Sequence, residues 1–168
     1  MKRIVASQAG EIYTRNIIFG VEDGLVSTVG FLSGIASVSS LGGTVVITGI
    51  VLVFVEAFSM GIGSLLSEHS TEEFAAKKEV PFGKSFLAAA VMFVSYILAG
   101  AIPLIPYIFL PAAQAFWVSI AADLAAVVGL GWYSAQIAKV SPLRKILEML
   151  FMTVLAISAG VFVARLVG

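Results

Sequence analysis

Four carboxylates stand inside long apolar stretches of this chain, where an ionised side chain is costly. They are Glu22, Asp23, Glu56 and Asp123. At the centre of a bilayer an ionised carboxylate costs at least ~2.5–3.5 kcal/mol, so such residues usually face a cavity or a partner. Because the stretches that hold them contain no Lys or Arg, the acids must be protonated, hydrated or paired with something other than protein. A metal cation or a transported proton fits that description.

Glu56 and Met60 are one helical turn apart and share a helix face. Carboxylate oxygen is a hard ligand, whereas thioether sulfur is soft and ignores Na⁺, Mg²⁺ and Ca²⁺, so the pair favours a transition metal such as Fe²⁺ or Mn²⁺. In the alternative interpretation Met60 only packs, and Glu56 is a protonated acid hydrogen-bonded to a neighbouring helix. The same face continues through small and polar residues: Gly63 and Ser67, with Ser59 at its border.

Asp23 heads a comparable small and polar stripe in the first apolar stretch. Because a carboxylate must lose its proton to bind a metal, Asp23 and Glu56 are predicted both as metal ligands and as proton-linked groups. Glu22 lies nearer the membrane interface, within reach of lipid headgroups. Asp123 is alone in the fourth stretch, and it is either a proton-linked or a structural acid.

A second acidic cluster follows the second apolar stretch: Glu68, His69, Glu72 and Glu73. If the helix continues there, Glu68 and Glu72 are one turn apart, and so are His69 and Glu73. Carboxylate and imidazole together can hold a divalent ion, which makes this cluster a second candidate metal site. The alternative is an ordinary solvated helix end with mixed charges, since two lysines follow closely.

The elements that must position these residues are membrane-spanning helices. Sixty per cent of the 168 residues are apolar and 12% are charged, against about 25% charged in a soluble domain. The mean hydropathy is +1.06. Since about 20 apolar residues cross a bilayer core, we predict a single-domain, all-α integral membrane protein with five transmembrane helices. The predicted spans are residues 16–38, 44–67, 85–102, 113–138 and 146–167.

The connections between these spans predict the orientation. Residues 68–84 form a short charged loop and residues 139–145 a basic one, whereas residues 39–43 are small and residues 103–111 are apolar and interrupted by three prolines. Lys and Arg are retained on the cytoplasmic side, and nine of the ten lie in the N-terminal arm or the two charged loops. We therefore expect a cytoplasmic N-terminus and a C-terminus outside.

Several classes of protein are disfavoured. The formal net charge is zero, so no basic field suggests a nucleic-acid partner, and the absence of cysteine excludes disulfides and thiol chemistry. His69 is the only histidine, and the chain has no His-Glu-x-x-His motif, phosphate loop or Ser/His/Asp set, so we predict no enzyme and no resident cofactor. An Asp-Gly pair in the first span is superficially similar to alcohol phosphotransferases, but their further acids at fixed spacing are missing.

The polar N-terminus and the small, cysteine-free chain suggest a prokaryotic plasma membrane.

Two motifs resemble those of the vacuolar iron transporter family. Residues 16–28, Asn-Ile-Ile-Phe-Gly-Val-Glu-Asp-Gly-Leu-Val-Ser-Thr, are similar to its first span, where Asp-Gly-Leu follows a Gly a few residues earlier. Residues 56–64, Glu-Ala-Phe-Ser-Met-Gly-Ile-Gly-Ser, are similar to its second-span motif. The order and spacing of the five spans agree as well, so the resemblance covers almost the whole chain.

The resemblance implies a homodimer that exports Fe²⁺, and often Mn²⁺, from the cytoplasm in exchange for protons. In the family the pathway of the ion lies between the two subunits and is lined by the first-span Asp and the second-span Met, which correspond here to Asp23 and Met60. Family members often carry an acid about two turns before the Met. That position is Leu52 here, and Glu56 is the candidate to replace the missing acid. The family's long metal-binding insert after the second span is reduced to residues 68–84.

We therefore predict a proton-coupled exporter of divalent transition metal. Its partners would be a second copy of the chain, the transported ion, protons and membrane lipid. The alternative is a non-transporting membrane scaffold, or a metal-sensing subunit that binds an ion without moving it.

Overall fold

A computed structural model describes the backbone of residues 2–39 and 42–168, with side chains from Gly10 onward, and these residues form five long helices. Each helix is long and apolar enough to cross a membrane, and the described residues contain no strand. This confirms the all-α prediction with five spans. The helices are α1 Lys2–Val38, α2 Gly42–Ala76, α3 Gly83–Phe109, α4 Ala112–Ala138 and α5 Pro142–Val167. Part of the predicted connection 39–43 lies outside the described residues.

α2 extends well beyond its predicted span. The interpretation of residues 68–84 as a loop is wrong for residues 68–76, which are helical. This segment contains good helix formers and an i, i+4 contact between His69 and Glu73, both of which favour a continued helix. The helix stops where Lys77 adopts a left-handed conformation, with φ of 54°, as helix C-termini often do.

α3 passes through two prolines instead of ending at them. The third helix therefore continues seven residues beyond the predicted span 85–102, into the predicted connection 103–111, and Pro103 and Pro106 lie inside it. Transmembrane helices tolerate proline when neighbouring groups satisfy the backbone. The Ser119 hydroxyl of α4 donates a hydrogen bond of 2.6 Å to the carbonyl oxygen of Pro103, next to the Ala99 and Ile102 carbonyls that the two prolines leave without a helical donor.

α1 and α3 form the central pair of the bundle. α2 packs against both of them, α4 packs against both as well, and α5 packs against α1 and α4. Among the described residues, α2 makes at most marginal contact with α4 and α5. The central pair therefore separates an α2 side from an α4–α5 side.

Glycines allow α1 to approach its neighbours closely. A Cβ atom at Gly24 would lie 2.7 Å from the carbonyl oxygen of Tyr96 in α3, and one at Gly34 would lie 2.7 Å from that of Gly160 in α5. Such contacts are typical of helix pairs in lipid, where apolar burial does not drive association. Gly63 of α2, by contrast, faces open space in the protomer.

Candidate functional site

The packing of α2 on α1 brings Asp23 and Glu56 together. Both side chains are half-buried, and their carboxylates lie within electrostatic range of each other. The charges that act on Asp23 are those of Glu56 and Glu22, both of which are negative. Two like charges within this range disfavour each other's ionised form, and a bound proton or cation would relieve the repulsion. The acid pair predicted from the sequence is thus a spatial pair.

Met60 follows Glu56 by one turn and is also half-buried. Ser59, Gly63 and Ser67 on the same side of α2 are exposed. The protomer's own helices therefore leave much of this polar face uncovered at the depth of the membrane. Hereafter "the acid face" means Asp23, Glu56 and Met60.

A buried tyrosine holds α1 to α3 beside the acid face. The hydroxyl of Tyr96 lies 2.5 Å from the Ser27 hydroxyl, and Ser27 in turn donates a hydrogen bond of 2.6 Å to the backbone carbonyl of Asp23. Because Ser27 has one hydroxyl proton and gives it to that carbonyl, Tyr96 is the donor to Ser27. Tyr96 is also within electrostatic range of Asp23 and Glu56. Sequence reasoning missed this residue, because a tyrosine in an apolar span carries little signal of its own.

Two polar contacts join α1 to α2 farther towards the C-terminal end of α2. Ser64 donates a buried hydrogen bond of 2.8 Å to the side-chain oxygen of Asn16. Arg15 forms an ion pair with Glu68, whose side chain is only 7% exposed. Glu68, predicted as a metal ligand, therefore has a cationic partner from its own chain.

The other members of the acidic cluster lie around His69. Its Nε2 atom is 3.4 Å from a carboxylate oxygen of Glu73, and its ring stacks on that of Phe82 at 3.7 Å between centroids. The Nδ1 atom of His69 is buried without a hydrogen-bond partner. Glu72 is half-buried one turn after Glu68. The structure thus brings His69 and Glu73 together and engages Glu68 elsewhere.

No group of three or more His, Cys, Asp or Glu residues within the described part of the chain is arranged to hold a metal ion by itself. The acid face offers two carboxylates and a thioether, and the cluster after it offers the imidazole and carboxylate of His69 and Glu73. One protomer therefore supplies only part of a coordination sphere at either place.

Asp123 lies apart from the acid face. It is fully buried in α4, on the α4–α5 side of the central pair, and neither of its carboxylate oxygens has a hydrogen-bond partner. The structure therefore separates the four intramembrane acids into a group near α2 and a single isolated residue.

Replacing Glu68 tests whether it serves the fold. Glu68→Gln removes the ion pair with Arg15. Because a hydrogen bond to a charged group contributes about 1.5–3 kcal/mol, we expect a measurable loss of stability. In detergent, the apparent unfolding temperature should fall by roughly 3–10 °C. Glu72→Gln, one turn later and without an ion pair among the described residues, is the matched control. An unchanged unfolding temperature combined with weaker Mn²⁺ binding would instead identify Glu68 as a ligand.

The fold and the site together define a polytopic helical membrane protein with paired acids in its spans. A family model described as VIT family matches residues 14–82 and 74–165, a range that reaches into all five helices. The chain belongs to the VIT family, which confirms the resemblance drawn from its two motifs, and its functional class is membrane transport of metal ions. This is a family of transporters and not of enzymes. A comparison with individually curated proteins gives no match.

Proposed function

We propose that the protein exports divalent transition metal ions, Fe²⁺ and Mn²⁺, from the cytoplasm in exchange for protons. The observation that carries this proposal is the acid face: Asp23 and Glu56 meet across two helices with Met60 one turn away. The mixture of hard and soft ligands favours a transition metal over Na⁺, Mg²⁺ or Ca²⁺. Membership of the VIT family supports the same class of substrate.

Proton exchange follows from the same residues. In the absence of metal a bound proton would relieve the repulsion between the two acids, and metal binding requires deprotonated ligands. Entry of the ion therefore releases protons from Asp23 and Glu56, and departure of the ion allows them to return. A conformational change that exposes the acid face alternately to each side then couples the two movements.

The working unit in this proposal is a homodimer. The half-exposed Asp23 and Glu56 would face lipid in an isolated protomer, which is costly for a carboxylate. A second copy packed on this side covers the acids and supplies a second set of ligands. The exposed small residues of α2 suit such a contact, because small side chains permit close helix packing in lipid: Ser59, Gly63 and Ser67.

The proposed orientation places the N-terminus in the cytoplasm and the C-terminus outside, in the plasma membrane of a prokaryote. It rests on the distribution of Lys and Arg along the chain. The end of α2 that carries His69 and Glu73 then faces the cytoplasm. Their side chains, already 3.4 Å apart, would be the place where the ion is first captured, with Glu72 and Glu68 close by along the helix.

Transport in proteoliposomes tests the proposal. Fe²⁺, Mn²⁺, Zn²⁺ and Ca²⁺ are supplied under an imposed pH gradient, and uptake is measured together with the internal pH. We expect uptake of Fe²⁺ and Mn²⁺ accompanied by counter-movement of protons, and no uptake of Ca²⁺. Movement of none of the ions would refute transport. Binding by calorimetry without any flux would favour the scaffold or sensing subunit instead.

The dimer has its own test at Gly63. Gly63→Leu adds a bulky side chain to the proposed interface without a clash inside the protomer, because nothing lies within 4 Å of a Cβ atom there. We expect the variant to run as a monomer in light scattering and to lose transport. Gly129→Leu is the matched control, since Gly129 of α4 has equally open surroundings. Equal dimer fractions in the two variants would place the interface elsewhere.

A further inference from the structure

Asp123 is a fully buried intramembrane acid that the proposed metal pathway does not use. Its side chain has no exposed surface, and both carboxylate oxygens lack a hydrogen-bond partner. An ionised carboxylate buried in this way would be strongly destabilising, so the group avoids that cost by carrying a proton. The described conformation therefore holds a neutral carboxyl group inside the protomer.

The face of α4 that carries Asp123 is buried against the other helices, with Ser119 one turn before it. One turn after it, Val127 belongs to an interior cluster with Leu25 of α1, Ala99 of α3 and Met149 of α5. Among the residues whose side chains are described, no charged group acts on Asp123. Several titratable groups of the neighbouring helices have other contacts. In α1, Glu22 and Asp23 interact with each other; in α3, Tyr96 faces Ser27 and Tyr107 lies near Ser119; in α5, Arg144 and Lys145 pair with Glu148.

The helix that faces Asp123 is weakened by proline at the same level. α3 meets α4 at Ala99 opposite Val127 and again where Ser119 donates to the carbonyl of Pro103. Asp123 lies midway between these two contacts along α4. Because proline has no N–H, Pro103 and Pro106 deprive the carbonyls of Ala99 and Ile102 of their helical hydrogen bonds. α3 therefore carries backbone acceptors, between its two contacts with α4, that can bind water when the helices move apart.

We propose that Asp123 is a proton-carrying site within each protomer, separate from the metal ligands. The acid face lies on the α2 side of the central helices, and Asp123 lies on the α4–α5 side. In the closed conformation the carboxyl binds a proton. Separation of α3 from α4 at the proline segment admits water, and the carboxyl then releases the proton and leaves a hydrated carboxylate. Closure requires that a proton be taken up again, from whichever side the opening faces.

The consequence for transport is that part of the proton movement occurs away from the metal. This part of the inference rests on the proposed metal–proton exchange, whereas the protonated state of Asp123 does not. A metal can then bind and leave the acid face without Asp123, but a given pH gradient drives less accumulation through a chain in which Asp123 cannot titrate.

Infrared spectroscopy of the full chain in lipid tests the protonated state without any transport. At neutral pH we expect a carbonyl stretching band of a neutral carboxyl group that lacks hydrogen bonds, and we expect Asp123→Asn to remove it. Asp123→Glu, which keeps the carboxyl group, should retain the band at a shifted frequency. If Asp123→Asn does not fold, that frequency shift assigns the band to position 123. A spectrum without such a band would overturn the proposal even if the protein transports metal.

A second measurement separates a working proton site from a merely structural acid. In D₂O the same band shifts as the carboxyl exchanges its proton, and we expect added Mn²⁺ to accelerate that exchange because turnover opens the site to water. In vesicles, Asp123→Asn should retain exchange of labelled for unlabelled Mn²⁺ without a pH gradient, but accumulate less Mn²⁺ when a gradient is imposed. Intact accumulation, or proton exchange indifferent to Mn²⁺, would contradict the proposal. If the parent protein moves no Mn²⁺ at all, the proposed function fails, and the infrared band still decides the protonation of Asp123.

Discussion

Asp23→Asn and Glu56→Gln are each expected to lower Fe²⁺ and Mn²⁺ uptake by more than about 100-fold. Replacing a group that only orients a metal ligand already lowers metal affinity or activity by about 10–100-fold. The substitutions here remove a ligand and its proton together. The fold should tolerate both changes, because an amide of the same size replaces one member of a like-charged pair and relieves the repulsion. Uptake is measured in proteoliposomes under a pH gradient, with the dimer fraction verified in the same preparation.

Matched substitutions outside the acid face serve as controls. Glu148→Gln changes an exposed carboxylate of α5 that pairs with Arg144, and it should leave uptake unaltered. Met60→Leu should weaken Fe²⁺ and Mn²⁺ uptake, whereas Met152→Leu, at an exposed position of α5, should not. Introducing Leu52→Glu into the Glu56→Gln variant should restore part of the uptake if one acid can replace the other. Full transport by Asp23→Asn and Glu56→Gln would show that the ion follows another route.

Gly24→Val is expected to abolish the packing of α1 on α3, and with it both folding and transport. Its Cβ atom would lie 2.7 Å from the carbonyl oxygen of Tyr96, which is backbone and cannot move aside alone. Overpacking of this kind costs about 1–3 kcal/mol, and more where a rigid contact is affected. The displacement also falls one residue from Asp23 and beside the hydrogen bond between Tyr96 and Ser27. The yield of monodisperse protein and its apparent unfolding temperature are the measurements.

Gly10→Val is the control on the same helix. Nothing lies within 4 Å of a Cβ atom at Gly10, so the substitution brings no clash and slightly favours the helix, since valine has a higher helix propensity than glycine. We expect its unfolding temperature to equal or exceed that of the parent chain. Equal unfolding temperatures of Gly24→Val and Gly10→Val would mean that the stability of the protein does not depend on the close approach of α1 and α3.

Some features followed from local chemistry alone. The number of helices was predictable because each span must be long and apolar whatever its neighbours are. Asp23, Glu56 and Asp123 were recognisable because a carboxylate in an apolar span is costly in any arrangement. The predicted helix ends were wrong where contacts with other helices, or the membrane environment, outweighed the local rules. Proline often ends helices in water, but α3 continues through Pro103 and Pro106 in a span packed against α1, α2 and α4.

The chemically anomalous residues and the two motifs that point to the VIT family are evident from the order of residues along the chain. How those residues are grouped depends on the packing of the helices. This packing places Glu56 beside Asp23, pairs Glu68 with Arg15, and isolates Asp123 on the opposite side of the central helices. The physical reason is that periodicity fixes which residues share a face of one helix, whereas the partner of that face depends on close contacts between helices. The intramembrane carboxylates are therefore two separate features, a pair at an uncovered surface and a single enclosed acid.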